Sequence, residues 1–300
     1  MAGMRRALLP AMLALLAAAL LAGCGGGDEE AAEPQPPQET AETAPAETVP
    51  PETAAEADPT VLRVYLMRGE HLGVGARRVD ATGAPGGEAI RALLEGPTPF
   101  EQEAGLSSEI PDGTELNSLA IDDGHAVVDL SREFESGGGS LSMQARVAQV
   151  VHTLTQFPTV ERVSIRLDGD DVDAIGGEGV PARELTRADF EDLAPAILVE
   201  SPAPGDRVTS PLRIQGTANT FEATFQVEIV DGDGRIVHEG FVTATSGSGE
   251  RGLFDETFRF EGAEGGMGAL IVWEESAASP PEGPEDGRLH LVEIPLEFAP

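Results

Sequence analysis

The composition of the chain changes abruptly after residue 58, and this change decides which part can fold. Residues 25–58 contain ten acidic residues, no basic residue and hardly any apolar residue other than alanine. A segment with so little surface to bury cannot offset the entropy lost on ordering. We therefore predict a disordered N-terminal linker over 25–58, and a fold that is built from the residues after it.

The first residues are typical of a secretory signal. Two arginines, Arg5 and Arg6, precede an apolar run over 8–21 that is shorter than the roughly 20 residues of a membrane-spanning helix. The run ends in Leu21-Ala22-Gly23 directly before Cys24, which resembles the bacterial lipobox. This resemblance implies a lipoprotein signal peptide over 1–24 and a lipid on Cys24. The lipid would anchor an extracytoplasmic protein to the cell membrane. The alternative is a plain signal peptide with an incidental cysteine.

Charge and cysteine content exclude several classes of protein. The sequence has 53 acidic and 19 basic residues, all of the latter arginine, with a formal net charge of -34. Without lysine there is no P-loop, no protein-kinase site and no Schiff-base chemistry. An acidic surface repels phosphate backbones, so we expect no nucleic acid partner. A single cysteine permits no intrachain disulfide, so the folded part depends on its own core.

Residues 59–193 show the pattern of a mixed domain. Apolar residues at helical spacing predict two helices, the second starting with Ser140 as its N-cap and burying Leu141. Helices among strand pairs predict an α+β domain, a sheet with two helices on one face. The predicted strands are 61–67, 72–79, 115–121, 125–130 and 160–167, and the predicted helices are 88–95 and 140–156.

Several motifs occur in a fixed order along this first domain. They are Val-Tyr-Leu around Tyr65, Leu93-Leu94-Glu95-Gly96-Pro97-Thr98, Ile110-Pro111-Asp112-Gly113-Thr114, Ala126-Val127-Val128-Asp129-Leu130-Ser131 and Gln156-Phe157-Pro158. Together they resemble the GerMN domain of sporulation and spore-germination lipoproteins, over about residues 60 to 193. The resemblance implies an extracytoplasmic binding or assembly module with no established catalytic residues.

Residues 194–300 have a different pattern, with short strands at regular spacing and no convincing helix. Seven predicted strands favour an all-β sandwich. Ser201-Pro202-Ala203-Pro204-Gly205, Gln215-Gly216-Thr217-Ala218 and Val272-Trp273-Glu274 resemble the immunoglobulin-like domain of bacterial spore germination. The predicted strands are 197–200, 212–217, 223–230, 235–244, 253–260, 269–275 and 289–296.

No set of residues in the sequence has the spacing of a catalytic or metal site. The five histidines are scattered, and no Gly-x-Ser-x-Gly motif occurs. The acidic loop 168–173 leaves two interpretations open, a calcium site and a strand-ending turn. We predict no cofactor, no metal and no catalytic residue. Arg63, Arg77 and Arg78 form a candidate basic patch on the first hairpin.

These features predict a membrane-anchored lipoprotein that binds envelope proteins or cell-wall material without catalysis. We expect the assembly surface on the first domain, and expect the two domains to fold separately. The alternatives are a cell-wall-acting enzyme, which needs a carboxylate pair or metal set in a cleft, and a ligand-binding lipoprotein of a transporter.

Overall fold

The computed structural model describes residues 60–80, 83–177, 179–276 and 287–299. The predicted signal peptide, Cys24 and the linker over 25–58 lie outside these residues. No helix within the described ranges has the length and apolar character needed to cross a membrane.

The first part of the described chain is mixed α and β. Its helices and strands follow one another as β1 (Thr60–Arg68), β2 (His71–Val79), α1 (Pro85–Leu94), α2 (Pro99–Glu103), β3 (Leu106–Ser107), β4 (Leu116–Asp122), β5 (His125–Leu130), α3 (Ser140–Leu154), β6 (Arg162–Leu167), β7 (Asp170–Asp171), β8 (Ala174–Ile175) and β9 (Val180–Pro181), with 3-10 helices at Arg132–Glu135 and Arg187–Leu193.

The strands of this part form two larger sheets, where the sequence predicts one sheet. One sheet has the order β2-β1-β3 and the other β4-β5-β6-β7. β5 and β6 are parallel neighbours. Such a pair needs a long crossover connection, and α3 provides it. Helices α1 and α3 contact each other, and each contacts strands of both sheets. The α+β class is confirmed, and the helices link two sheets instead of covering one face of a single sheet.

Two local predictions in this part are wrong. Helix α3 begins after Gly139, which occupies the N-cap position without a side-chain cap, so Ser140 is its first residue. Leu141 is 49% exposed because it lies in the first turn, at the helix end. The short helix α2 has no counterpart in the sequence analysis. Thr98 and Glu101 form a capping box that starts it.

The second part is all β. It contains β10 (Ile197–Ser201), β11 (Arg207–Val208), β12 (Leu212–Ala218), β13 (Thr224–Val230), β14 (Ile236–Thr243), β15 (Gly252–Phe258), β16 (Gly266–Glu275) and β17 (Arg288–Phe298), with a 3-10 helix at Phe221–Ala223. The sheet orders are β10-β12-β15 and β11-β17-β16-β13-β14. All seven predicted strands occur within a few residues of the predicted bounds, and the immunoglobulin-like part is confirmed.

The core of the second part lies between its two sheets. Phe225, Val227 and Ile229 alternate along β13 and are fully buried, as period-two patterning requires. The carboxylate of Asp231 accepts hydrogen bonds from the backbone N–H of Asp233 and of Arg235, which fixes the turn between β13 and β14. A buried side chain therefore holds the turn between β13 and β14.

The two parts have separate hydrophobic clusters that meet along β10. Ile197 and Val199 belong to the core of the second part, whereas Leu198 packs into the core of the first. Successive residues of a strand point to opposite sides, so β10 serves both cores. The boundary between 193 and 194 stays a prediction. A cut there removes Leu198 from the first core.

Candidate functional site

Three polar side chains join the two parts, and we call Tyr65, Arg187 and Glu200 the junction cluster. The hydroxyl of Tyr65 donates to the Glu200 carboxylate. Arg187 donates from Nη1 to the same carboxylate at 2.7 Å, and from Nη2 to the Tyr65 hydroxyl oxygen at 2.9 Å. Burial, reinforced by the Glu200 carboxylate, raises the pKa of Tyr65 far above its usual value, so the phenol remains a donor.

A second group of contacts fixes residues 191–196, which we call the connector between the two parts. Arg251 Nε lies 2.9 Å from Glu191 Oε2, and Arg251 Nη2 donates to the Pro195 carbonyl oxygen at 2.9 Å. Asn219 also donates to Glu191, at 3.2 Å. Partial burial opposes ionisation of Glu191, but the hydrogen bonds from Arg251 and Asn219 outweigh it and lower the pKa of this carboxyl. Residues of the sandwich thus hold the end of the 3-10 helix that precedes it.

The arginines predicted as a basic patch are paired with other groups. Arg63 Nε donates to the Glu200 carbonyl oxygen at 2.8 Å. Arg78 lies 3.3 Å from Asp206 of the second part, and Arg77 makes a bidentate contact with the buried Glu101. The prediction of a free patch is wrong, because two of the three arginines contact the second part and the third fixes α2.

A buried histidine ring lies beside the junction cluster. Among the described residues, neither ring nitrogen of His152 has a hydrogen-bond partner, and its ring centre is 5.3 Å from that of Tyr65. Burial lowers the pKa of His152 well below 6.5, and the positive charges of Arg187 and Arg251 lower it further. The imidazole is therefore neutral at physiological pH.

A cleft of about 710 Å³ opens at the junction, and we call it the junction cleft. Ligand sites of 300–1,000 Å³ commonly lie between domains, with mainly apolar walls and a few polar groups. Three segments form most of the walls: the β1–β2 hairpin, the connector with β10, and the part of β17 near His290. The main lining residues are Arg68, His71, Leu72, Val74, Ile197 and Leu291.

The polar groups of the junction cleft differ from the rest of this acidic chain. Arg68, His71 and His290 line it, together with the ion pair of Arg251 and Glu191. Burial lowers the pKa of Arg68, whereas the nearby Glu293 carboxylate opposes that shift. The cleft therefore presents a partly desolvated cation and two imidazoles, with the carboxylate of Asp192 in the same lining.

A β-bulge shapes the β17 wall of the junction cleft. The register between β16 and β17 shifts between Val272 and Glu274, and His290 has a left-handed backbone with φ 53°. Bulges redirect side chains and occur often beside binding sites. Leu291 follows directly and is 46% exposed. The bulge places an imidazole and an exposed apolar side chain at the cleft.

Every carboxylate of the acidic loop 168–173 is paired with an arginine. Within the described ranges, no three His, Cys, Asp or Glu side chains gather as a metal site would require. The loop therefore has the contacts of a turn stabilised by ion pairs. The pairs are Arg132 with Asp168 and Asp170, Arg166 with Asp171, and Arg183 with Asp173.

One serine and histidine lie within hydrogen-bond distance of each other. His125 Nε2 is 2.8 Å from Ser164 Oγ, which also accepts the backbone N–H of Glu184 at 3.0 Å. Ser164 lies within β6 and joins two neighbouring segments. A nucleophilic serine needs a free approach for its substrate, whereas this hydroxyl oxygen is engaged on two sides.

Sequence reasoning did not identify the junction cleft, since its lining residues are far apart in the chain. The hairpin and β17 contributions are separated by more than 200 residues. No local spacing connects them. The only hints of the cleft in the sequence are single residues that depart from their segment's apolar pattern, such as His290 in the predicted strand 289–296.

Two sequence families match the two parts. Residues 63–173 match the Germane family, described as sporulation and spore germination. Residues 196–280 match the immunoglobulin-like domain of bacterial spore germination. The resemblances stated from the motifs around Tyr65 and Trp273 are therefore confirmed.

Relatives are known from Bacillus subtilis. The spore germination protein GerM of strain 168 is 26% identical over 236 residues, which is 72% of this chain and 63% of GerM. The chain thus spans less than two thirds of that relative. The first GerMN domain of GerM is 24% identical, with a TM-score of 0.38, over 43% of this chain and 99% of that domain. The tandem GerMN domains are 18% identical, with a TM-score of 0.38, over 69% and 63%.

Proposed function

We propose that this protein is a non-catalytic binding and assembly lipoprotein of the bacterial envelope, with a role in sporulation or spore germination. The family descriptions and the name of the GerM relative support the biological role. The junction cleft is the single observation that carries the binding role. In this proposal both folded parts contribute to the binding surface, where the sequence alone favoured the first.

The junction cluster supports this role because it fixes the cleft walls before a ligand arrives. Tyr65 belongs to β1 and Glu200 to β10, so their hydrogen bond joins the two walls directly. Arg187 adds two charge-assisted contacts. A preorganised site loses less conformational entropy on binding than a mobile one.

Changing Leu291→Glu is expected to lower co-purification of envelope partners about tenfold or more, because it places a charge on an apolar wall. Co-purification from solubilised envelopes, quantified against wild type, measures this effect. Met267→Glu is the matched control, since Met267 is 51% exposed in the same sheet and does not line the cleft. Equal partner recovery from the two variants would show that the cleft is not the binding surface.

Catalysis would contradict this proposal. The contact of His125 with Ser164 is the arrangement to test first. Ester or peptidoglycan turnover by the purified protein that disappears in Ser164→Ala would show that the protein is an enzyme.

A transporter-linked receptor is the other alternative, and it would bind a small sugar or peptide whose uptake depends on this protein.

The membrane anchor is proposed from Leu21-Ala22-Gly23-Cys24. We expect Cys24→Ala to release the protein from the membrane fraction or to leave an uncleaved precursor. Fractionation of cells and the mass of the mature chain measure both outcomes. A variant that is processed at the same position and stays with the membrane would show that no lipid is attached to Cys24.

A further inference from the structure

The charged groups at the junction cleft leave a negative balance. Two arginines and two carboxylates line the cleft, so the lining alone is neutral when histidine is counted as neutral. These four residues are Arg68, Arg251, Glu191 and Asp192. Two further carboxylates lie beside the lining, since Glu274 is 3.8 Å from His290 and Glu293 stabilises the charge of Arg68. Two positive charges therefore face four negative ones.

Asp192 is the carboxylate of this lining that has no cationic partner. In the described part of the chain, Arg251 pairs with Glu191 at 2.9 Å, and no arginine or histidine forms an ion pair with Asp192. Contacts on both sides hold the backbone here, because Arg251 fixes Glu191 and Leu193 packs into the core of the first part. An exposed carboxylate is thus held in place beside an apolar wall.

Asp192 also lines a second hollow of about 370 Å³, which we call the Phe190 hollow. Phe190 and Leu193 contribute to its apolar wall. Among its charged lining residues, all except Asp192 have polar partners within the chain. These contacts are Arg183 with Asp173, Glu184 with Arg162, and Asp189 with Thr186. The two hollows therefore share one residue, and that residue is an unpaired carboxylate.

From this geometry we infer that the junction cleft and the Phe190 hollow together bind an apolar segment of another envelope protein, and that this segment carries one lysine or arginine whose charge pairs with Asp192. This inference rests on the proposed function and specifies its ligand. Two hollows joined at one residue fit a chain segment that extends from one into the other. A protein with a net charge of -34 also attracts cationic partners and repels anionic polymers.

The walls on the two sides of Asp192 define the order of residues in this segment. Leu72 and Leu291 line the junction cleft, and Phe190 lines the other hollow. Burial of apolar side chains against these walls supplies affinity without strict direction. The carboxylate supplies selectivity, since charges of like sign brought together in an interface cost affinity. The ligand is thus a segment with apolar side chains before and after a single basic residue.

Selection of peptides on the purified full-length protein tests this inference. Random displayed peptides are selected on wild type and counter-selected on Asp192→Arg. The expected peptides carry one lysine or arginine between apolar residues. A synthetic representative should bind Asp192→Asn about threefold to fivefold more weakly, and Asp192→Arg about tenfold or more weakly. Asp112→Asn is the matched control and should bind like wild type, because Asp112 is also exposed but lines neither hollow.

Exchange of the two charges separates pairing at Asp192 from general attraction to an acidic protein. When glutamate replaces the basic residue of the peptide, binding should be tighter to Asp192→Arg than to wild type. Carbodiimide coupling gives a second measurement, because it joins carboxylates to amines in direct contact and this chain contains no lysine. With lysine as the basic residue of the peptide, mass spectrometry should identify Asp192 as the coupled carboxylate.

Three results would overturn the inference. They are selected peptides without a basic residue, equal loss of affinity in Asp192→Asn and Asp112→Asn, and coupling of the peptide lysine to carboxylates outside the two hollows. A selection that yields no binder sensitive to Asp192→Arg would overturn it as well.

This test can fail independently of the proposed function. If envelope partners still depend on Leu291 for co-purification, the cleft remains the binding surface and only the chemistry assigned to the ligand is wrong. If that dependence is also absent, the proposed function is wrong as well.

Discussion

Replacing Glu200→Ala is expected to destabilise the protein by about 2–4 kcal/mol, since it removes the carboxylate that accepts from the buried Tyr65 hydroxyl and from the half-buried Arg187 guanidinium. Tyr65 would lose its acceptor and Arg187 its carboxylate, with side-chain exposures in the pair of only 30% for Arg187 and 16% for Glu200. Denaturant unfolding followed by circular dichroism measures the loss. Glu200→Gln should cost less, because its amide oxygen still accepts.

The control for this prediction is another carboxylate paired with arginine, on the surface. Asp255 contacts Arg213 at 2.5 Å, but both side chains are about half exposed or more. Solvent and salt screen such pairs. Asp255→Ala should therefore change unfolding far less than Glu200→Ala. Equal effects would mean that the junction cluster does not stabilise the contact between the two parts.

Acidification is expected to destabilise the protein through His152. Its pKa is lowered in the folded state, first by burial and then by Arg187 and Arg251. The unfolded chain therefore takes up a proton near pH 6.5, which the folded chain does not. Stability falls by about 1.4 kcal/mol per pH unit below 6.5, until the pH reaches the folded-state pKa. Above pH 6.5 this contribution is constant.

Comparison with His152→Phe isolates this effect from the titration of the many carboxylates. The variant keeps an aromatic ring beside Tyr65 and removes the titrating group, so it should lose less stability than wild type between pH 6.5 and pH 4.5. His71→Phe is the control, because His71 is exposed. If the His152→Phe and wild-type curves run parallel over this range, His152 is not the source of acid sensitivity.

The sequence predicts strands better than it predicts how sheets assemble. The alternation of Phe225, Val227 and Ile229 is local, and it defines the buried face of β13 without further information. The division of the first part into two sheets depends on contacts between distant segments. The crossover through α3 aligns β6 with β5, and nothing in the residues of β1 indicates that it pairs elsewhere.

The candidate site was beyond sequence reasoning for a similar reason. Arg63 and Arg78 have the appearance of a basic surface patch because their partners, the Glu200 carbonyl and Asp206, lie more than 120 residues away. Because both arginines are paired, they hold the two parts together and do not form a free anion-binding surface.

Photocrosslinking in intact cells tests the binding role of the junction cleft most directly. A photoreactive amino acid replaces Leu291 in one strain and Met267 in another, two side chains of similar exposure in the same sheet. The account predicts a discrete crosslinked envelope protein from position 291, absent from position 267, and lost when Glu200→Ala weakens the junction. Identical crosslinks from both positions, or none from position 291, would contradict it.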